Sequence, residues 1–315
     1  MNVVRKTLGC IALAGVCAGH AVAREPATCR VVRFAEIGWT DIAATTALAS
    51  TVLSSLGYQP TRTMASIPIA LAGLKARQID VYLGDWRPSM DATSGPFVKS
   101  GAVKVLDRPN LVGAKYTLAV PAYAYDAGLR SFGDIAKFAD KLQGRIYGIE
   151  PGNDGNELIR KAIQGNQYGL GKFKLIESSE AGMLVEVKRA IRDHAWIVFL
   201  GWEPHPMNLD FNMRYLGGGD ALFGPNYGEA KVYTMTAPDY AARCPNAARL
   251  VANLQFTTDM ENQVMKAIAS GKQPEVAAKA WLQQHPGVLK DWLAGVTTTD
   301  GRDPRAALDV ALDLH

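Results

Sequence analysis

The sequence is poor in the motifs that carry covalent chemistry. Its 315 residues contain no G-x-S-x-G, no H-E-x-x-H and no C-x-x-C, so a nucleophile elbow, a zinc-protease helix and a dithiol site are not written in it. The glycines between Gly165 and Lys172 have the wrong spacing for a phosphate loop, and Phe173 stands where a metal-binding hydroxyl is needed. The five histidines are scattered, and His205 lies between Pro204 and Pro206, which reads as a structural turn. No set of nucleophile, base and orienting group can be assembled, so an enzyme is not expected, and nothing calls for a metal or cofactor. Beyond the first two dozen residues no segment approaches 18 uninterrupted apolar residues, which argues against a transmembrane helix in the body of the chain. There is no low-complexity tract and no internal repeat, which argues against disorder and solenoids.

What is present begins with a leader. Arg5 and Lys6 precede an apolar run over residues 8–19, followed by Ala21-Val22-Ala23. That order is a secretory signal peptide over residues 1–23, cleaved near Ala23, and it predicts a periplasmic mature protein. Cys17 offers a lipid anchor as the rival, although Val16 is a poor neighbour for a lipidated cysteine. Removing Arg5 and Lys6 lowers Lys plus Arg from 34 to 32 against 30 Asp plus Glu, a net charge of +2. Near neutrality gives no case for nucleic acid or an anionic membrane surface as partner. Cys10 and Cys17 leave with the leader, and Cys29 and Cys244 remain. In an oxidising compartment these are either one disulfide or two buried thiols.

The mature chain alternates strand-like and helix-like patterns. Residues 30–37, 80–84, 115–120, 145–149, 173–176 and 196–200 are short apolar or β-branched runs, which predict strands. Residues 42–56 carry apolar side chains at helical spacing and stop at Gly57, with further helices over 134–142, 154–163 and 181–191. The C-terminal third reads as helical at 247–254, 259–269, 274–284 and 304–314. This alternation predicts an α/β fold with largely parallel strands, arranged in two sheets flanked by helices. With one cysteine near each end, the beginning and end of the chain would share a lobe. The expected division is 24–113 with 217–315 in one lobe and 114–216 in the other, crossed near 112–116 and 213–219. Gly217-Gly218-Gly219 suits a flexible connector at the second crossing. Ligands of such proteins sit in the cleft and are trapped by hinge closure.

Three tryptophans repeat one context. Trp39 follows Ile37-Gly38, Trp86 follows Gly84-Asp85, and Trp202 follows Gly201, each where a strand is predicted to end. Open α/β sheets place ligands at the carboxyl ends of strands. Trp196, Trp281 and Trp292 lie in apolar or amphipathic segments and read as packing residues. Asp41 follows Trp39 closely, and by itself it suits the cap of the helix predicted from residue 42. Asn153 and Asp154 stand where another helix begins, and either suits its cap.

The stretches 37–41 (IGWTD), 84–86 (GDW), 151–156 (PGNDGN), 201–205 (GWEPH) and 224–228 (GPNYG) occur in order along the chain. Together they resemble the choline-binding proteins of bacterial choline ABC transporters, close relatives of the glycine betaine binders. The resemblance spans essentially the whole mature chain. It implies a two-lobed periplasmic binding protein of the type II, Venus-flytrap kind and a Cys29–Cys244 disulfide. It also implies an aromatic box of Trp39, Trp86, Tyr116 and Trp202, with the choline hydroxyl end held by Asp41 and Asn153. Asp154 is the weaker candidate beside Asn153. Pro206 departs from the family, whose members often carry an aromatic residue there.

The chemistry agrees with the resemblance. A trimethylammonium group has no N–H to donate, and aromatic faces attract it at about 2 kcal/mol per desolvated contact. The expectation is a monomeric binding protein that captures choline for an inner-membrane permease. Glycine betaine and acetylcholine are the alternative ligands, and a secreted choline-ester hydrolase is the remote one.

Overall fold

The protein is represented by a computed structural model that describes residues 25–314. The expected leader, its cleavage site and Cys17 lie outside them. Ten strands form the frame: β1 (Val31–Glu36), β2 (Gln59–Met64), β3 (Val81–Arg87), β4 (Lys104–Val105), β5 (Leu111–Pro121), β6 (Arg145–Tyr147), β7 (Lys174–Ile176), β8 (Phe199–Glu203), β9 (Met213–Tyr215) and β10 (Glu229–Thr236). Between them run α1 (Thr40–Ser55), α2 (Ile67–Lys75), α3 (Asp91–Lys99), the short α4 (Ala122–Asp126) and α5 (Phe132–Ile135), α6 (Asp154–Gln164) and α7 (Glu180–Arg192). The C-terminal third is helical at Pro245–Asn253, Thr258–Ala269, Pro274–Gln284 and Pro304–Ala311, as the apolar spacing predicts.

β1 is parallel to β2 and β3, and β6 is parallel to β7 and β8. Strands covered on both faces need apolar side chains on both, and β3 is buried from Val81 to Trp86. α1 is apolar around most of its circumference because it lies between strands on one side and the helices Thr258–Ala269 and Pro274–Gln284 on the other.

The two sheets expected from the sequence are joined into one ten-stranded ladder, in the order β2-β1-β3-β10-β5-β8-β6-β7 with β4 on β10 and β9 on β5. The join is β5. Its first part pairs with β10, its middle with β8 and its end with β9, antiparallel throughout. Its eleven residues span about 36 Å at the rise of a strand, long enough to serve both lobes. The glycine run near the second crossing is fastened: Gly217 donates its amide to the Arg130 carbonyl at 3.0 Å, and its own carbonyl accepts from the Phe132 amide at 2.9 Å.

Cys29 and Cys244 form a disulfide, with Cα atoms 5.4 Å apart across 215 residues of sequence. Beside it, Arg33 holds Asp80 with two bonds of 2.8 Å and Arg243 adds one of 3.0 Å. Burial pushes Asp80 up, but these charged hydrogen bonds outweigh it and hold the carboxyl below its usual range. No helix among the described residues is long and apolar enough to cross a membrane.

Candidate functional site

Three strands and the start of α1 bring four aromatic rings to one cavity where β5 passes from β10 to β8. Trp39 is the residue before α1, Trp86 lies in β3, Tyr116 in β5 and Trp202 in β8. Trp86 and Trp202 are thus inside their strands, one residue from the end, where the sequence predicts them just beyond it. Tyr116 and Trp202 are direct cross-strand partners, so their side chains emerge on the same face. Their ring centroids are 6.3 Å apart at 82°, and Trp86 stands 6.1 Å from Tyr116 at 61°. These edge-on contacts are favourable in themselves and set the rings as separate walls. The cavity is lined by Trp39, Asp41, Trp86, Tyr116, Ile149, Asn153, Asp154 and Trp202 and holds about 280 Å³, its opening to solvent included. All seven residues expected at the ligand therefore meet, and each is 6% exposed or less.

Two glycines make room for Tyr116. A Cβ on Gly155 would lie 2.1 Å from the Tyr116 hydroxyl, and one on Gly228 would lie 1.9 Å from the Tyr116 carbonyl oxygen. Gly228 also has a φ of +70°, which disfavours any residue with a side chain. Tyr116 lies in the middle of its strand, since β5 starts at Leu111, four residues before the predicted start at 115.

Asn153 is the N-cap of α6. Its Oδ1 accepts from the Asn156 amide at 3.1 Å and from the Tyr116 hydroxyl at 2.8 Å. Its Nδ2 donates to Asp154 Oδ1 at 3.2 Å, and the same amide also helps to hold down the Glu150 carboxyl. Asp41 is not a cap. α1 starts at Thr40 with Trp39 as its N-cap residue, so Asp41 sits inside the first turn. Asp41 Oδ1 and Asp154 Oδ2 are buried without a hydrogen-bond partner.

The cavity is strongly acidic, and no Lys, Arg or His is among its lining residues. Burial, then the nearby Glu180 carboxylate, raises Asp41 to about 7, against the pull of the first amides of α1 and of Trp86. Burial likewise raises Asp154 to about 6 although the Ser89 hydroxyl and the α6 amides oppose it. Just outside the cavity, burial raises Glu150 to about 7, with the Trp39 indole opposing and Asp154 adding to the rise. Such a set of partly orphaned acids is expensive to bury unless a positive group joins them.

Three residues around the cage escape the sequence analysis. Trp39 Nε1 donates to Glu150 Oε1 at 2.9 Å. Glu180 accepts the Thr40 amide at 3.0 Å and also the Thr40 hydroxyl. His205, expected as a plain turn residue, is buried, meets Glu180 Oε1 through Nε2 at 3.2 Å and packs 4.9 Å from the Trp202 ring. Glu150 adjoins the 151–156 motif and could have been noticed there. Glu180 has no local signal, because its partner is 140 residues away. Trp196 and Trp292 pack against Phe138 and Phe256, and Trp281 stacks on His285, as expected of packing residues.

Residues 30–284 match the family described as the substrate binding domain of the ABC-type glycine betaine transport system, OpuAC. The chain is similar to an ABC-transporter choline binding protein in complex with choline, with 49% identity, a TM-score of 0.89 and coverage of 91% of this chain and 100% of that one. It is also similar to lactococcal OpuAC in its closed-liganded conformation complexed with glycine betaine, with 28% identity, a TM-score of 0.75 and coverage of 83% and 98%. By sequence it is 26% identical over 162 residues to the glycine betaine/carnitine transport binding protein GbuC of Listeria monocytogenes, which is 51% of this chain and about half, 53%, of that protein. With its α/β two-lobed fold, the chain belongs to the family of substrate-binding domains of ABC-type glycine betaine transport systems.

Proposed function

We propose that this protein is a periplasmic binding protein that captures choline in the aromatic cavity and delivers it to an inner-membrane permease without chemistry on the ligand. The observation that carries the reading is the combination of four aromatic walls with the carboxyls of Asp41 and Asp154, and no basic residue among the lining residues. The rings suit a trimethylammonium group, which is weakly hydrated and attracted to aromatic faces at about 2 kcal/mol per desolvated contact. Four such faces supply at most about 8 kcal/mol before ordering costs, and micromolar affinity needs about 8.2 kcal/mol net. The hydroxyl end must therefore contribute, and the Asn153 amide and the Asp41 carboxylate are the groups for it.

The acids decide between ligands of the same head group. Choline carries a net positive charge, so Asp41 and Asp154 attract it. Glycine betaine would set its own carboxylate against theirs. The first amides of α6 favour that carboxylate, which is the basis for betaine as the second reading. Acetylcholine lacks the hydroxyl that Asn153 and Asp41 would hold. A choline-ester hydrolase would need a nucleophile, and the lining residues include no Ser, Thr, Cys or Lys.

Calorimetric titration with choline, acetylcholine and glycine betaine tests the proposal. Choline is expected to bind tightest. Affinity for choline no better than for an unrelated amino acid overturns it, and release of choline from acetylcholine would move the protein to the hydrolases.

A further inference from the structure

Two carboxylates that do not line the cavity grip the corner between β1 and α1 from across the cleft. Glu150, which follows β6, takes the Trp39 indole at 2.9 Å, and Glu180, which opens α7, takes the Thr40 amide at 3.0 Å and the Thr40 hydroxyl. Trp39 and Thr40 belong to the β1 side of the ladder, whereas β6 and β7 lie at its other end. The Thr40 amide is one of the leading N–H groups of a 16-residue helix, where a carboxylate is doubly favoured by the unpaired amides and the dipole. Glu180 is 6% exposed and is aimed by His205, whose Nδ1 accepts the Met207 amide at 2.9 Å and whose Nε2 faces Glu180 at 3.2 Å. The series Trp202, His205, Glu180, Thr40, Trp39, Glu150 thereby connects two walls of the cage across the cleft.

We infer that Glu150 and Glu180 form a clasp that holds the cleft shut over the bound ligand, so that they set its rate of escape and not its selection. Both are positioning residues, since neither touches the cavity. The kinetic arm of the test rests on the choline reading above, and the conformational arm does not.

The test uses the mature chain with its native disulfide, spin-labelled at Ile69→Cys on α2 and Val185→Cys on α7, two exposed positions. Pulsed electron resonance should give a longer label-to-label distance for Glu150→Ala/Glu180→Ala than for the parent, with or without choline. Stopped-flow indole fluorescence should show choline leaving about tenfold faster per carboxylate removed, with association changed less than about twofold. If the alanine variants do not fold, Thr40→Val carries the test, with release a few-fold faster at unchanged association. Unchanged distances together with unchanged dissociation overturn the clasp, as does association slowed by as much as dissociation is speeded. A parent protein blind to choline ends the choline reading alone. The distances measured without ligand then decide the clasp, lengthening supporting it and identity overturning it.

Discussion

The Tyr116 hydroxyl donates to Asn153 Oδ1 at 2.8 Å, and the same oxygen accepts the Asn156 amide that starts α6. One wall of the aromatic cage and one polar contact of the cavity are therefore fixed as a unit. β5 brings the ring, the N-cap of α6 brings the amide, and Gly155 leaves the space in which they meet.

Gly155→Ala tests that unit. Its new methyl would collide with the Tyr116 hydroxyl, and overpacking of this kind costs about 1–3 kcal/mol. We expect a lower melting temperature, a folded protein by circular dichroism, and choline affinity reduced about tenfold by calorimetry. Unchanged affinity would mean that the position of Tyr116 does not matter to binding.

Trp86→Ala removes one ring face. At about 2 kcal/mol per desolvated contact, choline binding should weaken about 30-fold. Glycine betaine should lose a similar factor, because the two share the trimethylammonium head. Fluorescence titration of both ligands checks this, and a loss confined to one of them would place Trp86 at the other end of the ligand.

The acids give binding a pH dependence of definite sign. Asp41 and Glu150 titrate near 7 and Asp154 near 6 in the folded protein, all above their values in an unfolded chain. Between about pH 4 and pH 7 the native state thus holds protons that the unfolded chain has released, and the unliganded protein should lose stability as pH rises through that window. A cation in the cavity favours the ionised acids. Choline should bind more tightly at pH 8 than at pH 5, and the rise in melting temperature it produces should be larger at pH 8. Asp41→Asn should flatten this dependence and weaken choline more than glycine betaine. Melting curves with each ligand at both pH values check all of it. An equal loss for both ligands would leave Asp41 a structural acid whose titration is set by its burial and by the neighbouring Glu180.

Much of the frame is legible in the chain itself. The apolar spacing of residues 42–56 and the four C-terminal helical patterns follow from a local period of 3.6, and the short apolar runs locate β1, β3 and β6 to β8. The contexts of Trp39, Trp86 and Trp202 mark them as candidates before any fold is known, whereas Tyr116 is reached only through family resemblance. β2 is absent from the sequence reading because its exposed edge, Gln59–Met64, has almost no buried side chain. β10 does alternate buried and exposed residues along Glu229–Tyr233, a signal present but unread.

Tertiary structure decides the rest, and the reason is distance along the chain. That two sheets are one ladder depends on β5 changing partners midway, which no local pattern records. Asp41 looks like a helix cap in sequence, and only the fold buries its oxygen at the cavity beside other acids. The bonds from Glu150 to Trp39 and from Glu180 to Thr40 span 111 and 140 residues. The sequence by itself determines which rings and acids are available. Folding determines which of them face one another, how deeply they are buried, and so which charges the cavity can bear without a cation.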